Sequence, residues 1–252
     1  MKKLLVILFI LVLTLSGCTT KKPTEDTLVI GLDDTFVPMG FRNEQNEIVG
    51  FDIDLAAAVS DLTGLKFTLQ PIDWSLKETE LNQGNIDMIW NGYSITDSRK
   101  EIVLFSTPYL NNRQIVVVLA NSDITTLSDL ADKVVSVQKD SSALEAVTNQ
   151  PDLLATFKDG KVREFDSNVD LFVDLETGRS DAIILDEIFA DYTIKLRDPS
   201  AYRVLAEDFG NEEYGIGFRK TDVELQTKIN DAIQTLIDNG TFDQIKAKWF
   251  ND

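Results

Sequence analysis

Residues 53–69, Ile53-Asp54-Leu55-Ala56-Ala57-Ala58-Val59-Ser60-Asp61-Leu62-Thr63-Gly64-Leu65-Lys66-Phe67-Thr68-Leu69, decide the fold class. Apolar side chains at Ile53, Leu55, Ala56, Val59 and Leu62 share one helical face, and Gly64 supplies the left-handed residue that commonly ends a helix. Residues 66–69 then read as a strand, as do residues 28–32 upstream. Further strand-like runs fall at 87–90, 114–119, 133–137 and 181–185. Helical periodicity marks 76–82, 142–147, 169–176, 187–196 and 223–238, with Gly84, Gly178 and Gly240 as stops. Asn239-Gly240-Thr241 is formally a glycosylation sequon, but after an apolar helix it reads better as a left-handed cap. Strand and helix alternate throughout, which predicts an α/β fold with mainly parallel sheets. Ligands bind such sheets beyond the carboxyl ends of their strands, near helix N-termini.

The first residues carry an address. Lys2 and Lys3 precede an apolar run from Leu4 to Leu13, then Leu15-Ser16-Gly17-Cys18. A run this short falls below the roughly 20 residues a membrane span requires, so residues 1–17 read as a cleaved signal peptide. Leu15-Ser16-Gly17-Cys18 resembles a bacterial lipobox, which implies lipidation of Cys18 and an extracytoplasmic protein anchored to the cell membrane. Residues 18–25 are polar and aperiodic and suit a flexible tether.

Composition removes whole classes of chemistry. Cys18 is the only cysteine and histidine is absent, so the domain after the tether has no disulfide, no Cys-ligated or His-ligated metal, and no histidine-dependent nucleophile. Without Lys2 and Lys3 the chain carries 22 basic against 42 acidic side chains, a net charge of −20. Such a surface favours solubility and repels nucleic acid, so any anion-binding site must be local.

Three strand ends carry polar residues that a buried strand does not need. After residues 28–32 comes Asp33-Asp34-Thr35-Phe36-Val37-Pro38; after 87–90 comes Asn91-Gly92-Tyr93-Ser94-Ile95-Thr96-Asp97-Ser98-Arg99; after 181–185 comes Asp186. Each has an ordinary reading. Thr96 to Arg99 is a capped helix start with a solvated arginine, and Asp186 is an N-cap for the helix beginning at Glu187. Asp52 and Asp54 read as carboxylates at a helix N-terminus.

Taken in order, these segments resemble the extracytoplasmic solute-binding proteins of polar amino acid ABC transporters. The resemblance rests on Phe36-Val37-Pro38 with Gly50 to Leu55, Ser94-Ile95-Thr96 through Arg99 to Phe105-Ser106-Thr107-Pro108-Tyr109, Tyr214-Gly215-Ile216-Gly217-Phe218, and Asn239-Gly240-Thr241-Phe242 with Lys248-Trp249-Phe250. It implies a two-lobed periplasmic-binding-protein fold of type II closing on a ligand. Lobe 1 is expected at 26–109 plus 214–252, lobe 2 at 114–210, and the hinge at 110–113 and 211–213. Arg99 matches the arginine that grips a ligand's α-carboxylate with its planar fork. Gly92, through its backbone N–H, and Ser94, through its hydroxyl, match positions that assist it. Ser141 and Ser142 lie where the second lobe receives that carboxylate, and Asp186 matches the carboxylate that takes the α-ammonium. Asp33, Phe36 and Trp74 match side-chain pocket positions, where rings stack on a flat or cationic group.

The implied cargo is arginine or another basic amino acid, glutamine, or cystine. Gln138-Lys139-Asp140-Ser141-Ser142 departs from the lysine and glycines of familiar glutamine binders. The implied partner is an ABC permease, the implied state a monomer, and no cofactor or metal enters the reading. Two rivals stand beside it: an enzyme on the same fold, a dehydratase or lyase with Glu78, Glu80 or Glu187 as acid or base, and a ligand sensor.

Overall fold

The computed structural model describes residues 27–250. The expected signal peptide, the lipidation expected at Cys18 and the expected tether fall outside the described residues. The first half of the chain forms β1 (Thr27–Leu32), β2 (Thr35–Phe36), β3 (Gly40–Arg42), β4 (Ile48–Val49), α1 (Phe51–Thr63), β5 (Lys66–Pro71), α2 (Lys77–Gln83), β6 (Met88–Ser94), α3 (Asp97–Ile102) and β7 (Leu104–Phe105). Then come β8 (Leu110–Leu119), β9 (Val135–Gln138), α4 (Ser142–Thr148), α5 (Pro151–Leu154), β10 (Arg163–Phe165), α6 (Asn168–Glu176), β11 (Ala182–Asp186), α7 (Glu187–Leu196) and β12 (Tyr202–Val204). The chain closes with β13 (Asn211–Phe218), α8 (Val223–Asp238) and α9 (Thr241–Phe250).

The main sheet runs β10-β9-β11-β8-β13-β6-β1-β5 and divides into two halves at the β8–β13 pair. Strands on either flank are parallel, as alternation with helices predicts: β1 with β5 and β6, and β9 with β10 and β11. The centre is not. β13 runs antiparallel to both β6 and β8, and β8 runs antiparallel to β11. The sheet is therefore more mixed than expected, because β8 and β13 carry the chain between halves in opposite directions.

Each half buries its own apolar surface. Val116, Val118, Val135, Val137, Ala182 and Ile184 form a core in the second half, and Ile86, Ile89, Tyr93 and Val103 one in the first. A third cluster spans both. Phe36 from the first half lies 5.3 Å from Phe189 of α7, ring centre to ring centre. Helix α1 buries Phe51, Leu55, Ala56 and Val59, and its last turn ends on Gly64 at φ +73, the left-handed cap expected there. Gly240 has the same role between α8 and α9, at φ +79.

Strand β6 is longer than its apolar run suggests, continuing through Asn91-Gly92-Tyr93-Ser94. It does so with an irregularity against β13, where Gly215 opposes Tyr93 but Gly217 opposes Ile89. The extra residues on β6 form a bulge that holds Gly92 at φ +60. A Cβ there would lie 2.8 Å from Phe36 Cε1 and 3.2 Å from Tyr214 Cε2, so glycine is required twice over.

Candidate ligand-binding site

The carboxyl ends of β1, β6, β9 and β11 converge on one cavity at the junction of the halves. Asp33, Phe36, Trp74, Gly92, Ser94, Arg99, Ser141, Ser142 and Asp186 all line it, together with Asn91 and Gln138. All nine cavity residues expected from sequence are thus brought together. The space left between them is about 10 Å³, room for about one water.

Arg99 reaches the cavity from α3, whose start is fixed by Thr96 accepting from the Arg99 amide at 3.3 Å. The capped helix start is real, but the arginine is not solvated: it is 5% exposed. Its guanidinium lies over the Tyr93 ring at 4.6 Å and donates from Nη1 to Ser94 O at 3.0 Å and from Nη2 to Asp140 O at 3.3 Å. A delocalised cation tolerates such burial because its donors and its face are both engaged. Lys77, on α2, is also buried and meets the same Asp140 carbonyl at 2.9 Å. Burial, then the neighbouring Arg99 charge, pushes Lys77 down to about 8. Asp140 adopts φ +50 just ahead of the Ser141 cap, which turns its carbonyl toward these two cations.

Trp74 sits in a short turn capped by Asp73, which accepts from the Ser75 amide. Its ring is edge-on to Tyr93, and Lys77 Nζ lies 5.1 Å from its centre. Asp33 accepts from Thr35 N and Thr35 Oγ1 on one oxygen and from Gln138 Nε2 on the other. Burial pushes its carboxyl up despite these bonds. Ser141 caps α4 by accepting from Leu144 N, and Ser142 Oγ lies 3.0 Å from Ser94 Oγ across the cleft.

Asp186 precedes α7 without capping it through its side chain. Its Oδ1 instead accepts from Asn112 Nδ2 at 2.5 Å and Tyr214 OH at 2.7 Å. Burial first, then the Glu212 charge, pushes it up to about 7.

Gly92 departs from expectation in one respect. Its N–H donates to Asp52 Oδ2 at 2.7 Å, so Gly92 lines the cavity without a free amide donor. Asp52 is correspondingly more than a helix-start carboxylate. It is buried, also accepts from Tyr109 OH at 3.0 Å, and is pushed up to about 7 by burial.

Sequence reasoning missed Asn91, which accepts from the Asp33 amide, and Gln138. Gln138 ends β9, a fourth strand end with a polar residue, and the rule applied to the other three would have found it. The carboxylates weighed for catalysis lie elsewhere. Glu78 accepts from Tyr93 OH and Glu187 pairs with Arg113; neither they nor Glu80 line the cavity. Among the described residues no helix is long and apolar enough to cross a membrane.

The two-lobed α/β architecture with a buried polar cavity where its halves meet is one that this chain shares with solute-binding proteins. Residues 28–252 match the family described as bacterial extracellular solute-binding proteins, family 3. The chain is 32% identical to the L-cystine-binding protein TcyJ of Escherichia coli (strain K12), over 93% of this chain and 86% of that one. It is 31% identical to the arginine-binding extracellular protein ArtP of Bacillus subtilis (strain 168), over 99% and 98%. Among solved structures, an ABC uptake transporter substrate-binding protein from Streptococcus pneumoniae with bound histidine superposes with a TM-score of 0.88. Its identity is 38%, covering 90% of this chain and 93% of that chain. The protein belongs to family 3 of the bacterial extracellular solute-binding proteins.

Proposed function

We propose that this protein binds a polar L-amino acid between its two halves and delivers it to an ABC importer by ligand-stabilised closure. The observation that carries this reading is the meeting of Arg99 and Asp186, from opposite halves, at one buried cavity. A zwitterion's carboxylate suits the guanidinium and its ammonium suits the carboxylate, so one ligand joins the halves. The cavity has room for about one water, so a ligand enters when the halves part, with β8 and β13 as the hinge. A ligand that bonds to both halves favours the closed form by its differential affinity, which lets a permease distinguish loaded from empty.

Lobe 1 is then 26–109 plus 214–252, lobe 2 is 114–210, and the protein acts as a lipid-anchored extracytoplasmic monomer without catalytic activity. The relatives named for cystine and arginine, and the structure holding histidine, support an amino acid carrying a cationic or second polar end. Asp33 and Trp74 suit such an end. The test is a thermal-shift screen of the chain from residue 19 against the common amino acids and cystine. A ligand at about 100 times its dissociation constant adds about 2.7 kcal/mol of stability. A selective rise with one or a few polar amino acids supports the reading; no rise with any overturns it.

A further inference from the structure

Behind the cavity, in the β8–β13 pair, a second carboxylate contacts two of the residues that line it, Ser94 and Ser142. Glu212, on β13, turns Oε2 toward Ser94 Oγ at 2.6 Å, Gln114 Nε2 at 3.0 Å, Ser142 Oγ at 3.2 Å and Asn112 Nδ2 at 3.3 Å. These donors come from β6, β8 and the first turn of α4, so one oxygen gathers both halves and the junction. Asn112 Nδ2 also donates to Asp186 Oδ1, which places one amide nitrogen within reach of both carboxylates.

The remaining charges do not neutralise the pair. Arg99 of α3 faces Asp186, but it is the group that suits a ligand's carboxylate. Tyr214 OH donates to Asp186 from β13. Arg113 on β8 is held by Glu187 of α7 and by Asp208. Asp186 is buried and Glu212 half-buried, and two carboxylates that share the Asn112 donor resist ionising together. Asp186 shows it, pushed up to about 7 by burial and then by Glu212. Glu212 has a second aspect: with Asn111, Arg113, Glu187 and Glu213 it lines an open groove of about 700 Å³.

We propose that Glu212 and Asp186 together hold the ligand's ammonium, displacing a single proton that the pair carries in the unliganded protein. The proposal rests on the amino-acid reading above. The charges balance. Without ligand the pair has one proton and one negative charge; with ligand it has two negative charges and the ammonium between them. The carboxyl O–H breaks, its electron pair stays on the oxygen, and the proton leaves by way of Glu212 and the groove to buffer. The ligand's own carboxylate pairs with Arg99.

Titration calorimetry of the chain from residue 19 tests this, with L-arginine, L-histidine, L-glutamine and L-cystine as probes in buffers of different ionisation enthalpy. Near neutral pH the wild-type protein should release protons on binding, approaching one per ligand at lower pH and fewer at higher. E212Q should bind at least about tenfold more weakly, with release shifted to lower pH, and D186N should release no proton. Wild-type binding without proton release across this range overturns the proposal, as does E212Q with unchanged affinity and release.

If no probe binds, the amino-acid reading falls, and the pair is tested alone by infrared spectroscopy of the unliganded protein. A carboxylic acid band that titrates near pH 7 and is diminished in D186N supports the shared proton; a band unchanged in D186N overturns it. Asp52, which burial also pushes up to about 7, should supply the residual signal in that variant.

Discussion

Gln138 of β9 and Asp33 at the end of β1 meet across the cleft, the amide Nε2 donating to the carboxylate Oδ2 at 3.0 Å. Gln138 is held from behind, accepting from Asn168 Nδ2 and donating to Asp166 O. On the proposed reading, the glutamine marks the place where a ligand's side chain would compete for Asp33. A cationic end gains a charge-assisted bond there, and a neutral amide gains an ordinary one. Asp33→Asn should lower affinity for L-arginine by about tenfold more than for L-glutamine. Calorimetric affinities for both in both proteins check this, and equal losses would remove Asp33 from side-chain recognition.

Arg99→Ala should weaken ligand binding at least tenfold, since truncating one partner of a buried charge pair costs about 2 to 5 kcal/mol. Asp186→Ala should do the same. Affinity from titration calorimetry decides, and an unaltered value in either variant takes that residue out of the site.

Gly92→Ala should destabilise the fold by about 1–3 kcal/mol, because alanine at φ +60 is strained and its Cβ meets Phe36 at 2.8 Å. Differential scanning calorimetry should show the melting temperature falling by roughly 2–4 °C per kcal/mol lost. A variant as stable as the parent would mean that the bulge relaxes freely.

Asp52 makes stability depend on pH in a direction opposite to the usual paired carboxylate. Its folded-state value, raised to about 7 by burial, lies above the ordinary 3.8. The folded protein therefore binds more protons than the unfolded chain between those values, and stability falls as pH rises through that window. Asp52→Asn should flatten this fall, as read from urea midpoints at the two ends of the window. A slope as steep as the parent's would assign the effect to other groups.

Lys77→Met should weaken the hold between the halves, because Lys77 and Arg99 of the first half both donate to the Asp140 carbonyl of the second. Small-angle scattering should give a larger radius of gyration for the variant, with an unchanged far-ultraviolet spectrum. An identical radius would mean that the other contacts across the cleft suffice.

Much of this was legible in the sequence because each half repeats a strong local signal. The helix ended by Gly64, and the strand ends that place Asp33, Arg99 and Asp186, are written in short-range periodicity and polar punctuation. What escaped depends on packing between distant segments. Asp52 follows the helix-start pattern whether its carboxylate faces water or, as here, Gly92 and Tyr109. Glu212 stands in Asn211-Glu212-Glu213, expected as a hinge segment, and nothing local in that polar run shows which carboxylate turns inward once β8 lies beside it. The bulge in β6 is likewise invisible, since it arises from the mismatch with β13, more than a hundred residues later.

The position of β13 between β6 and β8 also sets a schedule for the polypeptide's birth. Strands β1, β5 and β6 emerge from the ribosome early, but β6 waits for β13 to cover its open edge. Helix α1 waits longer, for α8 and α9 contribute Ile229, Ile233, Leu236 and Phe242 to the core it joins. The second half, from β8 to β12, is complete well before then. A growing chain thus leaves the core of its amino-terminal half incomplete until α8 and α9 have been made.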